Sequence, residues 1–235
     1  MNRPTVVLLH GLFGFSRVIY WEYFNGVRAF LEKEGFRIIA PRVPPASSIE
    51  IQAKSLAQQL KHETGSLHLI GHSMGGLYAR YYIRHCGGHE IVKSLTTLAT
   101  PHRGSSAADF ICKSISFYRL FSGVHQLTTE HMKTFNENTP DSAGVHYRSY
   151  SACRPMNELP WTVRDLGHVI EKAEGNNDVH VSVSSARWGE HVKTLHADHF
   201  ELIGQNFWLN PFKQRKRFDH LGLYREITDW ITDHS

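Results

Sequence analysis

The sequence predicts an α/β fold in which a mostly parallel, twisted sheet carries helices on both faces. Short runs rich in valine, leucine and isoleucine alternate along the chain with longer segments whose apolar residues recur at helical spacing. Strands that alternate with helices in this way are typical of a parallel sheet covered on both sides. The 235 residues can bury one sizeable core, and no repeat or linker divides them, so we expect a single domain over 1–235.

The first half of the chain gives the clearest elements. The run TVVLLHG at 5–11 is short, β-branched and ended by glycine, as expected of a buried parallel strand. Aromatic and aliphatic residues recur every three or four positions in 20–35, which predicts a helix that stops at Gly35. By the same criteria we expect strands at 36–43 and 66–73 and helices at 47–65 and 75–85.

The second half continues the alternation with weaker signals. A fourth strand lies within 91–105 and leaves through a Pro/Gly-rich segment, and a fifth is expected at 144–152. The stretch 179–188 contains a sixth strand or an extended segment, and a helix at 221–232 closes the chain.

Composition and charge argue against several classes of protein. The apolar runs are far shorter than the roughly 20 residues that a membrane-spanning helix needs, so we expect no transmembrane segment. The net charge of +4 is modest, and its one dense basic run lies at 213–217. That run could contact nucleic acid or anionic lipid, but no recognition motif accompanies it, and we interpret it as a solvated loop. No nucleic-acid partner is expected.

The cysteines and the N-terminus favour a protein of the cytoplasm or of another intracellular compartment. Cys86, Cys112 and Cys153 lie far apart and form no C-x-x-C pair, so no disulfide framework is expected. The first strand begins within a few residues of Met1, which leaves no room for a signal peptide. A trimmed mitochondrial or secreted chain would have the same sequence features.

A candidate nucleophile lies between the third strand and the helix after it. Gly71, Ser73 and Gly75 form the pattern G-x-S-x-G in the stretch LIGHSMGG. A sharp strand-to-helix turn forces the central serine into a strained conformation that only small neighbours tolerate. The turn would also place the hydroxyl at a helix N-terminus, where free amides favour developing negative charge.

A serine nucleophile needs a general base to take its proton. In this order of elements the base follows the last strand, which indicates His199 in the stretch HADHF, with His196 as the local alternative. The chain has 17 histidines, so most of them must have other roles.

The acid that orients the base should lie between the serine and the histidine. Asp178 fits best, because Asn and Gly residues precede it as a turn and a β-rich run follows. Asp141 and Asp165 are alternatives placed too early in the chain, and Asp198 adjoins His199, where neighbouring side chains usually diverge.

Two backbone amides are needed to stabilise an oxyanion. We expect one from Met74, directly after the serine, and the other from Leu12 in the loop HGLFGF that follows the first strand. His10 in the same loop is interpreted as a support for the loop.

Five blocks of sequence carry a family resemblance: VVLLHGLFGF, LIGHSMGG, LATPHRGSSAADF, NDVHVSVSSARWGE and ADHFELIGQ. Together, from about residue 5 to about residue 210, they resemble the α/β-hydrolase triacylglycerol lipases, in particular the bacterial true lipases and their short fungal and mitochondrial relatives. The resemblance implies an α/β-hydrolase fold with Ser73, Asp178 and His199 as the triad. It also implies that Leu12 and Met74 supply the oxyanion amides.

The chain departs from the family pattern at two places. Val179 follows Asp178, where the family often has glycine. Many members also hold a structural calcium ion, and Glu201 stands where one of its carboxylates would fall. The other candidate ligands are the main-chain oxygens of Gln205 and Leu209 and a carboxylate from Glu158 or Asp165. A solvated Glu201 on a helix is the alternative, and no metal or other cofactor is expected for catalysis.

The resemblance also implies an insertion after the fourth strand, at about 106–140, as a helical cap or a mobile lid. Candidate substrate-binding residues are Phe13, Phe110, Phe117 and Phe121. The expected function is hydrolysis of acylglycerol esters through an acyl-enzyme, with transient contact to a lipid surface. A carboxylesterase, thioesterase or phospholipase with the same triad remains an alternative. A catalytically silent hydrolase fold that binds a lipid or a protein is a third.

Overall fold

The sheet is parallel, as the alternation of elements predicts. The computed structural model describes residues 4–12, 17–18, 21–114, 122–159, 161–206 and 217–235. Six strands form one sheet in the order β4-β1-β5-β6-β7-β8, and every neighbouring pair is parallel. These strands are β1 (Thr5–Leu9), β4 (Arg37–Ile39), β5 (Leu67–His72), β6 (Val92–Leu98), β7 (His146–Cys153) and β8 (Glu190–His196). Two short strands, β2 (Arg17–Val18) and β3 (Trp21–Glu22), pair antiparallel beside it.

Helices connect the strands and pack on the sheet. The described helices are α1 (Val27–Lys33), α2 (Ile49–Leu60), α3 (Met74–His85), α4 (Ser106–Ser114), α5 (Ser122–His125), α6 (Thr129–Asn138), α7 (Trp161–Glu174), α8 (Val183–Ala186) and α9 (His220–Asp233). Single 3-10 turns lie at Gly88–Glu90, Met156–Glu158 and Glu201–Ile203.

The alternation of side chains along β1 divides the core into two layers. Val6 and Leu8 face the layer that also holds apolar residues of α1 and α9. Val7 and Leu9 face the opposite layer, which α2 and α3 cover. Successive side chains of a strand point to opposite faces, so a strand covered on both sides must be apolar throughout. Helices therefore cover both faces, as predicted.

Two predicted elements are wrong in position. The first helix begins at Val27, whereas the prediction started it at residue 20. The last strand of the sheet, β8, is at Glu190–His196, and the predicted strand segment 179–188 forms a turn followed by α8. β8 is an edge strand with mostly exposed side chains, so it lacks the apolar alternation that marks a half-buried strand.

The predicted insertion at 106–140 contains α4, α5 and α6 in its described part. Both Asp109 carboxylate oxygens accept hydrogen bonds from Thr129, through its amide at 3.0 Å and its hydroxyl at 2.8 Å. This pair fastens α4 to the start of α6. Whether the segment is a fixed cap or a mobile lid stays a prediction, as does the single domain over 1–235.

In the described ranges of the chain we find no helix that is both long and apolar enough to span a membrane. Within the basic run at 213–217, residues 213–216 lie outside the described residues, and Arg217 is exposed.

The helix α3 packs directly on the backbone of β1. A Cβ added at Gly75, in the first turn of α3, would overlap the carbonyl oxygen of Leu9 and lie 3.0 Å from that of His10. Only glycine permits so close an approach of the two backbones.

We expect Gly75→Ala to lower the free energy of unfolding by about 1–3 kcal/mol, because β1 must shift to admit the methyl group. Gly65→Ala is the matched control, since a Cβ at Gly65 meets no atom within 4 Å. Urea unfolding followed by circular dichroism measures both variants. Equal midpoints for the two would contradict the close contact between α3 and β1.

Candidate active site

The predicted nucleophile occupies a strained turn between β5 and α3. Ser73 has φ 56° and ψ −130°, in the region that favours glycine, and its side chain lies almost fully buried beneath the surface. Such a conformation costs about 1–3 kcal/mol and persists only where its surroundings fix it. The Ser73 amide donates a hydrogen bond of 2.9 Å to the carbonyl oxygen of Leu98, at the end of β6.

Missing side chains around Ser73 make the turn possible. A Cβ on Gly71 would lie 2.6 Å from the amide nitrogen of Gly76, and one on Gly11 would lie 2.7 Å from the Cβ of Ser73. The glycines at 71 and 75 are therefore required by close packing, as the motif indicates. The approach of Gly11 also brings the loop after β1 against the nucleophile.

Asp178 and His199 form a buried pair. The Nδ1 of His199 lies 2.8 Å from the Oδ2 of Asp178, and the two residues are 4% and 0% exposed. The other carboxylate oxygen accepts hydrogen bonds from the amides of His180, at 2.9 Å, and Val181, at 2.7 Å. The His199 amide also donates to the Asp178 carbonyl oxygen at 3.2 Å, so the two loops are joined twice.

Val179, which follows the acid where the family often has glycine, has an unusual backbone conformation. Val179 has φ 86°, a left-handed conformation in which a β-branched residue is an outlier and glycine is favoured. The Val179 amide donates to the side chain of Asn177 at 2.9 Å, and the valine packs, fully buried, with Leu159 and Val163. Burial of the valine side chain thus offsets backbone strain that glycine would avoid.

Burial sets the protonation states of the pair. It lowers the pKa of His199 to about 3, so the imidazole is neutral near pH 7. Burial raises the pKa of Asp178 to about 6, although the amides of His180 and Val181 act in the opposite direction. Near neutral pH a carboxylate therefore accepts the Nδ1–H of a neutral imidazole, which leaves Nε2 free to accept a proton.

A second hydrogen-bonded chain passes through the residue before the nucleophile. His72 Nε2 lies 2.9 Å from the carbonyl oxygen of His199, so Nε2 carries the hydrogen and Nδ1 is an acceptor. Tyr23 donates its hydroxyl to that Nδ1 at 2.7 Å and accepts the amide of Gly11 at 2.8 Å. Sequence analysis did not identify His72 or Tyr23. This series of hydrogen bonds links the loop after β1 to the loop of His199.

The expected oxyanion donors lie at the start of α3 and in the loop after β1, and their role stays a prediction. Met74 begins α3 directly after Ser73, and Leu12 follows Gly11 in the loop after β1. In the same loop, His10 donates from Nδ1 to the Gly11 carbonyl oxygen at 3.0 Å, and its own carbonyl oxygen accepts the Tyr78 hydroxyl at 3.0 Å. His10 thus lies where a support for the loop was expected.

The alternative acids and base lie elsewhere. The exposed His196 is 3.0 Å from Glu158. Asp141 accepts the indole N–H of Trp188 at 2.9 Å, and Asp165 lies within α7. Asp198 accepts the amides of Phe200 and Glu201, both at 3.0 Å, and so stabilises its own turn. Of the aspartates proposed from the sequence as the acid, Asp178 is the one with a described hydrogen bond to the His199 ring.

The alternative prediction for Glu201, a solvated residue on a helix, is wrong. It is 4% exposed, lies in a 3-10 turn, and both of its carboxylate oxygens accept hydrogen bonds from the buried guanidinium of Arg154, at 2.9 and 3.1 Å. Arg154 also donates to Glu158 at 2.7 Å. A cation already neutralises the carboxylate that calcium would need, so Glu201 does not fit a calcium ion. Of the other predicted ligands, Leu209 lies outside the described residues.

Arg154 ties the acid loop to the base loop. Its amide donates to the carbonyl oxygen of Asn177 at 3.1 Å, one residue before Asp178. The Glu201 that it holds accepts the amide of Asp198 at 2.8 Å, one residue before His199. The ion pair therefore connects the residues that immediately precede both members of the buried pair.

The expected substrate-binding residues are only partly described. Phe110 lies on α4 and is 50% exposed. Phe13, Phe117 and Phe121 lie outside the described residues. Their contact with substrate stays a prediction.

Known proteins share both the sequence pattern and the fold. A family model described as palmitoyl protein thioesterase matches residues 5–148. Triacylglycerol lipase 2 of Saccharomyces cerevisiae is 34% identical over 249 residues, covering 92% of this chain and 74% of the yeast protein. The chain belongs to the α/β-hydrolase lipase family. It is a carboxylic ester hydrolase, as predicted.

Bacterial relatives match over shorter stretches. The triacylglycerol lipase of Pseudomonas fragi is 35% identical over 46% of this chain, and the match covers 38% of the bacterial lipase. Among solved structures, a lipase of Bacillus licheniformis has a TM-score of 0.73 at 23% identity and covers 86% of this chain and 87% of its own. A metagenomic carboxyl esterase has a TM-score of 0.84 at 15% identity, over 100% of this chain and 77% of its own. These structures show the shared fold.

We expect Tyr23→Phe to lower kcat for ester hydrolysis about tenfold or more, because a small displacement of reacting groups is costly. The substitution leaves the Gly11 amide and His72 Nδ1 without the shared hydroxyl, so both flanking loops loosen. Tyr224→Phe is the matched control, since the Tyr224 hydroxyl is buried and has no hydrogen-bond partner among the described residues. Steady-state kinetics on a soluble ester measure both, and equal kcat values would remove the role given to Tyr23.

Proposed function

We propose that this lipase-family chain hydrolyses esters through a Ser73–His199–Asp178 triad and an acyl-enzyme intermediate. The observation that carries the proposal is the buried hydrogen bond between His199 Nδ1 and Asp178 Oδ2, at 2.8 Å. His72 supports it, because it directly precedes Ser73 and holds the His199 backbone. No member of the triad is missing, which argues against a catalytically silent fold.

In the proposed reaction Ser73 Oγ attacks the ester carbonyl while His199 Nε2 takes the hydroxyl proton. Asp178 holds the tautomer in which Nε2 is free, and its negative charge stabilises the imidazolium that forms. His199 then protonates the leaving alcohol, and a water activated by the same histidine releases the acid from Ser73.

We place the developing oxyanion between the amides of Met74 and Leu12. The Met74 amide belongs to the first turn of α3, whose N-terminus favours negative charge. The close approach of Gly11 to Ser73 supports Leu12 as the second donor. One such donor is worth about 3 kcal/mol of transition-state stabilisation.

Acylglycerols are the proposed substrates. The support is the yeast relative named triacylglycerol lipase 2, at 34% identity over most of both chains. The half-exposed Phe110 and the largely exposed Trp161 are large apolar side chains that fit transient contact with a lipid surface.

Thioester hydrolysis is the second candidate, because the matching family model over 5–148 is a palmitoyl protein thioesterase. The same triad cleaves thioesters with a thiol as leaving group. Either activity is proposed to proceed without a metal, since Arg154 neutralises Glu201 and a protein carboxylate, Asp178, orients the His199 ring.

We expect Ser73→Ala to abolish turnover of p-nitrophenyl butyrate and labelling by a fluorophosphonate probe, because the substitution removes the hydroxyl that the proposed reaction uses as its nucleophile. Ser66→Ala, at the exposed position directly before β5, should retain both activities and the same circular dichroism spectrum. Equal turnover by Ser73→Ala and wild type would refute the triad.

Rates on emulsified long-chain triglycerides and on palmitoyl thioesters, measured beside the soluble ester, decide between the two substrate classes.

Arg154→Met should destabilise the protein by about 3–5 kcal/mol, because it leaves a buried carboxylate unpaired. Arg28→Met is the control, since the Arg28–Glu32 pair is exposed and such pairs contribute about 1 kcal/mol or less. Thermal unfolding measures both variants.

Wild-type activity should be the same in EGTA and in millimolar calcium, and a loss in EGTA that calcium restores would overturn the metal-free proposal.

A further inference from the structure

A third side chain lies beside the Asp178–His199 pair and has no part in the proposed reaction. Asp178, His180 and His199 each offer one possible metal-ligand atom, and these atoms lie within 4.8 Å of one another. The rings of His180 and His199 are stacked, with centroids 4.7 Å apart and planes inclined by 28°. Two imidazoles and a carboxylate therefore converge on one place.

The position of His180 is fixed, and one of its ring nitrogens is unused. Its amide donates to Asp178 Oδ1 at 2.9 Å, and its carbonyl oxygen accepts the Ser105 hydroxyl at 2.6 Å. Its Nδ1 is buried and has no hydrogen-bond partner among the described residues. A buried ring nitrogen without a hydrogen-bond partner is costly, so its presence beside a carboxylate points to a ligand.

We propose that Asp178, His180 and His199 form a binding site for a divalent transition metal, best fitted by zinc, that reversibly switches the enzyme off. The proposal rests on the proposed function, since two of the ligands are members of the triad. Zinc takes imidazole nitrogen and carboxylate oxygen in tetrahedral sites, often with three protein ligands and one water. Calcium and magnesium prefer oxygen ligands and are not expected to bind here.

The geometry requires only local movement. With zinc–ligand bonds of about 2.0–2.1 Å, neighbouring ligand atoms of a tetrahedral site are about 3.3 Å apart. His199 Nδ1 and Asp178 Oδ2, now at 2.8 Å, would separate slightly, and the His180 ring would turn toward them. His180 is only partly buried as a residue, so a turn of its ring would open this side of the pair to solvent.

Inhibition follows from the tautomer of His199. In the free enzyme Nδ1 carries the hydrogen and Nε2 is the acceptor. A metal bound at Nδ1 requires the neutral ring to carry its hydrogen on Nε2 instead, with no net loss or gain of a proton. Nε2 then has no lone pair with which to accept the proton of Ser73, so attack on the ester stops.

The test is zinc titration of chelator-treated enzyme with p-nitrophenyl butyrate as substrate. We expect micromolar zinc to inhibit, EDTA to restore the rate, and magnesium to have no effect. His180→Phe keeps a flat ring beside His199 but removes both nitrogens. Relative to its own metal-free rate, it should need about tenfold or more zinc for the same inhibition. The control is His196→Phe, which alters the exposed His196–Glu158 pair and should be inhibited like wild type.

A binding measurement separates this proposal from the proposed function. Ser73 is not a ligand, so Ser73→Ala should bind one zinc tightly by calorimetry, and the further change His180→Phe should remove that binding. Should His180→Phe fail to fold, His180→Gln replaces it in both assays. Equal zinc sensitivity of wild type and the His180 variant, or no tight zinc binding in Ser73→Ala, would overturn the site whatever Ser73 does in catalysis.

Discussion

The strained backbone of Ser73 is the constraint on which the rest of the site depends. A serine with φ 56° and ψ −130° is stable only if the elements on both sides of it are held in place. The hydrogen bond from the Ser73 amide to the Leu98 carbonyl oxygen fixes it to β6, and the glycines at 11, 71 and 75 let three backbone segments approach it. Because β5 is an interior strand of a parallel sheet, the rigid core beneath the turn supplies this support.

The loops that surround the serine are held together by polar groups that are themselves buried. Arg154 connects the acid loop to the base loop through an ion pair with Glu201. His72 and Tyr23 connect the base loop to the loop after β1. A buried polar group without a partner is costly, so each network is stable only in one arrangement. The positions of Asp178 and His199 are thus defined by several bonds to different strands.

Sequence reasoning succeeded where the signal is local and failed where it depends on tertiary contacts. The turn at Ser73 could be predicted, because its glycines and its strand–helix context are contiguous in the chain. β8 could not, because an exposed edge strand such as Glu190–His196 carries no apolar alternation. Glu201 was assigned either to calcium or to solvent, since nothing in the sequence shows that Arg154, 47 positions earlier, is its partner.

Tyr23 illustrates the same limit from another direction. Its aromatic ring fits the helical periodicity of 20–35, and on that basis it was assigned to the apolar face of a helix. The helix begins at Val27, so Tyr23 precedes it and its hydroxyl reaches His72, 49 residues away. Periodicity reports which face of an element is apolar, and it carries no information about the partner of a hydroxyl group.

The site contains several histidines, and the Asp178 carboxylate bonded to His199 determines where it can hold positive charge. Burial lowers the pKa values of His10, His72, His180 and His199, so all four are neutral near pH 7. Of these four, only His199 has a ring bonded to a carboxylate of the described residues. A proton taken from Ser73 is therefore stabilised on His199 and nowhere else in the cluster, because a second buried cation would lack a counter-charge. His10 and His72 serve as fixed hydrogen-bonding groups. His180 adjoins Asp178 and has a buried ring nitrogen that could bind a cation other than a proton.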